Sequence, residues 1–372
     1  MKKIIKNRLD LLRKSLVKNK IDTLMILIEE NRHYLSGFKG EDTQFDETAG
    51  ALFITDSKLI LATDSRYELQ AKNEAPLFKI VCNKEGLAKE LPNIADMLGT
   101  KRLGFESVRM SCMQYSKIAE ELKSSGVKVE LVPAEDIVEN LRLIKDETEI
   151  DTLKKALFIA ESVFKNIKST IKPGMTEMQL AWAMEKEIRE AGAQSLSFST
   201  IVASGPNSAF PHAIPLDRKV KAGEPILFDW GARLDGYCSD ISRTVIIGTP
   251  DETFKKVFST VYDAQQMATD AIKPGISSKA VDKIARDHIE KSGFKGKFGH
   301  GLGHGTGLAV HEQPRLSPLK ETTLETGMVF TVEPGIYISG WGGIRLENMV
   351  VVRDDGVEVL NKIDPADFLI EV

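Results

Sequence analysis

The 372-residue chain is poor in cysteine: Cys82, Cys112 and Cys238 are the only three, an odd number at wide spacing with no CxxC pair. That excludes a disulfide-stapled scaffold and a cysteine-rich zinc or redox module, and it suits thiols kept reduced in the cytoplasm. A surplus of either charge is missing as well. Fifty Lys and Arg stand against 54 Asp and Glu, a formal charge of −4, so nothing advertises a nucleic-acid or anionic-membrane partner. Long apolar runs are absent, and stretches such as Leu24–Ile28 are far too short to cross a bilayer. The first residues are basic, but Leu9, Leu11, Leu12 and Leu16 recur at helical spacing, which predicts an amphipathic helix in place of a secretory leader. The remainder is ordinary for a folded chain, 42% hydrophobic and 28% charged, with length for two domains.

Residues 1–140 alternate helical stretches with short apolar segments. Leu24–Ile28, Ala51–Ile54, Leu59–Ala62, Lys79–Val81 and Val127–Val132 read as strands, which gives a small α/β domain. Val138–Leu153 has no Gly or Pro and carries Leu and Ile at helical spacing, so one helix is expected to lead into a second domain, residues 141–372. That second part contains a repeat. Ile171-Lys172-Pro173-Gly174 returns as Ile272-Lys273-Pro274-Gly275, 101 positions on. Each copy is followed by a hydroxyl residue, Thr176 or Ser277, then an amphipathic helix, then a β-rich stretch. Thr176 with Gln179 matches a capping box, a physical reason for the helix to start there. Two helix-then-sheet halves predict a pseudo-twofold α+β fold with a site between the halves.

Each half then offers a pair of acids. Asp229 and Asp240 flank Asp235-Gly236, a strong hairpin-turn signal. With those two residues in the turn, Asp229 lies opposite Ser242 and diagonal to Asp240, on one face, at roughly 7–8 Å between Cα atoms. In the second half Glu333 and Glu347 sit seven residues either side of Gly340, both inside apolar strand sequence. One acid in a strand is ordinarily a solvent-facing residue. Four acids in two matched hairpins are hard to explain as surface, and buried together they would repel and shift to high pKa values. Two divalent cations would neutralise them, which makes a dinuclear metal site the expectation.

A nitrogen ligand is at hand in Gly299-His300-Gly301-Leu302-Gly303-His304-Gly305-Thr306-Gly307, with His311 and Glu312 just beyond. Glycine at alternate positions allows close backbone packing. The run is neither GxGxxG nor a phosphate-binding loop, and HExxH is absent, so a nucleotide site and a mononuclear zinc peptidase are both set aside. Three of the six histidines fall within these twelve residues.

Taken together, FDWGARLDGYCSDISRT, GHGLGHGTGLAVHE, TVEPGIYI and GIRLEN resemble the creatinase/aminopeptidase P family of dinuclear metallopeptidases over about residues 145–360, with SGPNSAFPHA around His212 in the same order. NRHYLSGF and DSRY upstream resemble that family's N-terminal domain. The resemblance implies a pita-bread catalytic domain behind a smaller ribonuclease-H-like α/β domain, and a homodimer. It implies Asp240 and Glu347 as bridging ligands, Asp229 completing one metal position, and His304 with Glu333 completing the other. One nitrogen among oxygens suits Mn, Co, Fe or Zn, and the resemblance favours manganese or cobalt. Glu333 is also the candidate proton shuttle. His311 is the candidate donor to the oxyanion or substrate carbonyl, and His212 a wall on the leaving-group side. His300, Arg345, Tyr337 and Arg315 are lesser candidates: Arg345 to orient a ligand carboxylate, Arg315 to bind a substrate carboxylate. Cys238 reads as packing. The expected substrate is a proline-containing peptide, cleaved at an N-terminal Xaa-Pro bond. An Xaa-Pro aminopeptidase is preferred slightly over an Xaa-Pro dipeptidase (prolidase), with a creatinase-like non-peptidase further behind.

Overall fold

The computed structural model describes residues 2–44 and 47–371, and the chain divides into two compact units, Met1–Arg142 and Leu143–Val372. Among the described residues no helix is long and apolar enough to cross a membrane.

The first unit is a six-stranded mixed sheet with helices. Its strands are β1 (Thr23–Ile26), β2 (Ala51–Ile54), β3 (Leu59–Thr63), β4 (Lys79–Cys82), β5 (Arg102–Glu106) and β6 (Glu130–Ala134), in the order β4-β3-β2-β1-β5-β6. The helices are α1 (Lys2–Asn19), α2 (Glu29–Ser36), α3 (Glu68–Glu74), α4 (Leu87–Leu98), α5 (Cys112–Ser124) and the single turn α6 (Glu139–Arg142). As the periodicity predicts, α1 buries Ile5, Leu9, Leu12 and Leu16. Two strand expectations need correction. β5 was not anticipated: Arg102 and Glu106 mask its ends, and Gly104 interrupts it because a Cβ there would lie 2.8 Å from Ile21. The expected strand at Val127–Val132 forms three residues later and includes Pro133, which is tolerated because β6 is an edge strand. Glu106 ends β5 buried, accepting bonds from the N–H groups of Leu27 and Ile28 and from Asn31 Nδ2 at 2.6–2.7 Å.

The helix expected across Val138–Leu153 is broken. After α6 the chain forms a bridge from Ile144 to Met328. Asp146 then caps a new helix, α7 (Glu147–Lys168), accepting from the N–H groups of Thr148 and Glu149 while Glu149 returns a bond to the Asp146 N–H. That reciprocal cap, Asp-x-x-Glu, outweighs the lack of a helix breaker.

The second unit shows the two halves. The first has α7, α8 (Glu177–Glu190) and strands β7 (Ser195–Leu196), β8 (Ile201–Ser204), β9 (Pro225–Trp230), β10 (Ala232–Leu234), β11 (Tyr237–Cys238) and β12 (Ile241–Ile247). The second has α9 (Glu252–Asp270), α10 (Ser278–Ile289) and strands β13 (Gly303–Gly305), β14 (Glu312–Leu316), β15 (Val329–Val332), β16 (Gly335–Ile338), β17 (Gly342–Arg345), β18 (Asn348–Arg353) and β19 (Gly356–Val359), and β20 (Leu369–Ile370) returns to pair with β12. The main sheets run β20-β12-β9-β8 and β14-β13-β15-β18-β19. The repeat is structural: Gly174 and Gly275 adopt φ of 93° and 87° and donate to Val220 O and Leu324 O at 2.9 and 2.8 Å. Thr176 and Gln179 form the expected capping box, whereas the Ser277 hydroxyl makes no cap bond. Packing fixes the acid-bearing strands. Trp230, beside Asp229, stacks on Phe164 of α7 at 4.5 Å and donates its indole N–H to Ala160 O. In the other half, Phe254, Val257 and Val261 of α9 share a core with Phe330, Val332 and Val350.

Candidate dinuclear metal site

The first hairpin turns at Asp235-Gly236, both with positive φ (49° and 83°). Leu234 pairs with Tyr237, and Asp229 falls opposite Ser242, as the turn signal predicts. Gly231 lets the strands close, since a Cβ there would lie 1.9 Å from Ser239 O. In the second half, Val332 pairs with Asn348 and Gly335 with Arg345, so Glu333 comes to face Glu347 across the same register. His304 is central in β13, and its glycine neighbours are required by contact: a Cβ at Gly303 or Gly305 would meet Thr331 O or Gln313 O within 2.0 Å.

These strands bring the five side chains together. Asp240, His304 and Glu347 each offer a ligand atom within 4.8 Å of the others. His304 Nε2 lies 3.3 Å from Glu333 Oε1 and 3.5 Å from Asp240 Oδ2. Asp229 Oδ2 accepts from Arg345 Nη2 at 2.6 Å, while Oδ1 is buried without a hydrogen-bond partner. Burial, reinforced by the neighbouring carboxylates, pushes Asp240 and Glu347 well above the usual acid range and Glu333 up to about 7. Burial also pushes His304 down to about 3, so its ring is neutral. Because Nδ1 donates to Gly305 O at 3.1 Å, Nε2 presents a bare lone pair to two acids. Four carboxyl groups and a ring nitrogen converge, and the raised acid pKa values mark a cluster short of positive charge. That donor set fits two divalent cations, with Asp229, Asp240, His304, Glu333 and Glu347 to hold them.

A cavity of about 740 Å³ opens over this cluster, lined also by His212, His300, His311, Arg315 and Arg345. The His311 ring lies 4.3 Å from that of His304. Burial, then the nearby charge of Arg315, lowers the His311 pKa. His300 falls to about 4 through burial and the charge of Arg345. Tyr337 stands behind the wall, its hydroxyl 2.9 Å from His300 Nε2 and 2.8 Å from Arg345 Nη1. Arg345 reaches further than its strand parity suggests, donating also to Ser242 Oγ at 2.8 Å and to Pro211 O at 3.2 Å. Arg315 is paired with His304 across β13 and β14, and its side chain makes no hydrogen bond or ion pair among the described residues. Cys238 is buried near Gly236 O and Leu308 O, away from the ligand atoms.

Several residues that serve the site give no local sequence signal. Ser242 Oγ donates to Glu347 Oε2 at 2.8 Å. The Gln265 amide, fully buried on α9, donates to Val332 O and Leu346 O, the residues immediately before Glu333 and Glu347. Glu177 at the start of α8 accepts four bonds from Ser204, Asn207 and Leu216, fastening the segment that carries His212. Asp282 pairs with Arg286, which holds Phe298 O and His300 O.

Comparison with known proteins gives a match of residues 151–354 to metallopeptidase family M24, and of residues 8–144 to the creatinase/prolidase N-terminal domain. The chain belongs to metallopeptidase family M24. It is similar to an Xaa-Pro dipeptidase of Pyrococcus furiosus, 35% identical over 97% of this chain and 99% of that one. An Xaa-Pro dipeptidase structure from Bacillus anthracis superposes with a TM-score of 0.91 at 36% identity, covering 99% of this chain and all of that chain. An X-Pro aminopeptidase structure from Thermotoga maritima gives 0.85 at 36% identity, over 95% and 98% of the two chains. The M24 chain is thus a metallo-exopeptidase with the pita-bread fold, from a family that depends on a pair of metal ions.

Proposed function

We propose that the chain is an Xaa-Pro dipeptidase, a prolidase, that hydrolyses the bond between an N-terminal residue and a terminal proline. The observation that carries this reading is Arg315. It is a permanent cation on the wall of the catalytic cavity, without an ion-pair partner among the described residues, and a dipeptidase needs such a group for the free carboxylate of proline. The slight preference for longer peptides drawn from the sequence is thereby turned towards dipeptides. An X-Pro aminopeptidase remains the second reading, supported by the Thermotoga maritima neighbour.

In this reading Asp229, Asp240, His304, Glu333 and Glu347 hold two divalent cations, manganese or cobalt by the family resemblance. When bound, the ions supply Lewis-acid polarisation and an acidified water. Glu333, held by the Thr331 hydroxyl at 3.1 Å, takes the proton of the attacking water and returns it to the departing proline nitrogen. His311 donates to the carbonyl oxygen as negative charge develops there. His212 and Ala213 enclose the proline side, and Arg345 keeps Asp229 aimed at the cluster. A cytoplasmic homodimer is the working form suggested by the resemblance and by the sparse cysteines.

The test compares kcat/KM for Xaa-Pro, Xaa-Pro-Xaa and Xaa-Pro amide in wild type and Arg315→Ala. Wild type should prefer Xaa-Pro. Arg315→Ala should lose roughly 10- to 100-fold on it, the scale of one hydrogen bond to a charged group, and lose little on the amide. A wild type that cleaves tripeptides faster than dipeptides makes the protein an aminopeptidase.

A further inference from the structure

The loop that carries His311 is fastened from beneath by a charge pair that the chemistry above does not use. Lys145, third residue of the second unit, has only 4% of its surface exposed. Its Nζ reaches Glu312 Oε2 at 3.2 Å, and both side chains are buried. The lysine backbone is itself anchored, donating to Gly327 O at 2.9 Å next to the bridge between Ile144 and Met328. The other carboxylate oxygen, Glu312 Oε1, accepts from Ala309 N–H at 2.9 Å. Gly307 lies so close that a Cβ there would come within 2.8 Å of the carboxylate. The segment between β13 and β14 is therefore gathered around Glu312, and His311 directly precedes it.

Such a pair is a poor source of stability. Desolvating two charges offsets most of their attraction, and apolar residues of similar volume usually serve as well. What the pair supplies is direction: Nζ fixes one carboxylate oxygen, so the other can hold Ala309 and set the path of the loop. We propose that Lys145 is a positioning residue which acts through Glu312 to hold the 306–311 loop so that His311 meets the scissile carbonyl. This rests on the role given to His311 above.

The experiment measures kcat, KM, melting temperature and metal content with one Xaa-Pro substrate. The variants are Lys145→Met, Lys145→Arg, His311→Ala, Lys145→Met/His311→Ala and Lys145→Met/Glu312→Met, each manganese-loaded. Lys145→Met should lower kcat roughly 10- to 100-fold, the cost of misplacing a group by about an ångström, with KM within about threefold and metal content unchanged. Lys145→Arg should recover part of that loss. On the His311→Ala background, Lys145→Met should cost less than about threefold, because the group it positions is gone. Should Lys145→Met fail to fold, the Lys145→Met/Glu312→Met protein leaves no lone buried charge and should fold, keep its metals and still show the loss of kcat. Wild-type kcat in that variant, or a full Lys145→Met effect persisting without His311, overturns the proposal. A fully active, metal-replete His311→Ala enzyme instead overturns the role of His311 itself, and the positioning proposal falls with it.

Discussion

Arg345 offers a test of the metal site that needs no substrate. Its side chain is 3% exposed and ends 2.6 Å from Asp229 Oδ2, and the same guanidinium holds Ser242, Tyr337 and Pro211. Burial works against its charge, yet Tyr337, Asp229 and Glu333 together keep its pKa well above the usual value. In the metal-free protein Arg345 is the cation paired with Asp229, so Arg345→Met strands a half-buried carboxylate whose Oδ1 already has no partner. Breaking a fully buried pair from one side costs about 3–5 kcal/mol, the upper bound for this one. For a domain of this size that is a fall in melting temperature of at most roughly 6–20 °C. In the loaded protein the ions would compensate Asp229 and the loss would be confined to the guanidinium's bonds to the neutral groups of Ser242, Tyr337 and Pro211, so the fall should be smaller. The assay is thermal unfolding of wild type and Arg345→Met, each with chelator and with excess manganese. Equal falls in both conditions would mean that Asp229 does not share its charge with the ions, and the ligand set would be wrong.

Other outcomes follow from the same geometry. Asp240→Ala and Glu347→Ala should each bind at most one metal ion per chain and lose activity; two ions with near-normal turnover in either would remove that residue from the ligand set. Glu333→Gln should keep its fold and lose roughly 10²–10⁴-fold in kcat, and a metal-replete variant with unchanged kcat would exclude Glu333 as the proton shuttle. In the first unit, burial raises Glu106 from 4.5 to about 7 against the bonds from Asn31, Ile28 and Leu27, with the charge of Glu139 adding to the rise. The folded state therefore holds a proton that the unfolded chain has released, and this contribution to stability is complete below pH 4.5 and lost as pH rises to 7, about 3 kcal/mol in all. Urea unfolding at pH 5 and 7.5 should show that loss in wild type and not in Glu106→Gln; equal pH slopes would contradict it.

What the sequence made legible was whatever is encoded locally or by repetition. Asp235-Gly236 announces its turn, and the turn sets the register that pairs Asp229 with Ser242. The symmetric spacing about Gly340 does the same for Glu333 and Glu347, and alternate glycines mark β13 because neighbouring carbonyls leave no room for a Cβ. The break after α6 was also encoded, in Asp146 and Glu149, but the continuous apolar spacing hid it. Edge strand β6 tolerated a proline that a central strand would not. Lys145, Glu177 and Gln265 were invisible for a different reason. Each acts on a partner brought close only by the fold, 167 positions away for Lys145 and Glu312, and a buried polar residue looks like any solvated one until its partner is known.

The division of the five site residues between two repeated halves has a consequence for how the protein comes of age. Asp229 and Asp240 belong to the half built on α7 and α8, and His304, Glu333 and Glu347 to the half built on α9 and α10. Neither half alone carries more than part of the proposed ligand set, and the two are drawn together where β12 meets the Glu347 segment through Ser242. If these five residues hold the ions, a chain in which the half from Glu252 onward has not docked on the half before it holds only part of the ligand set.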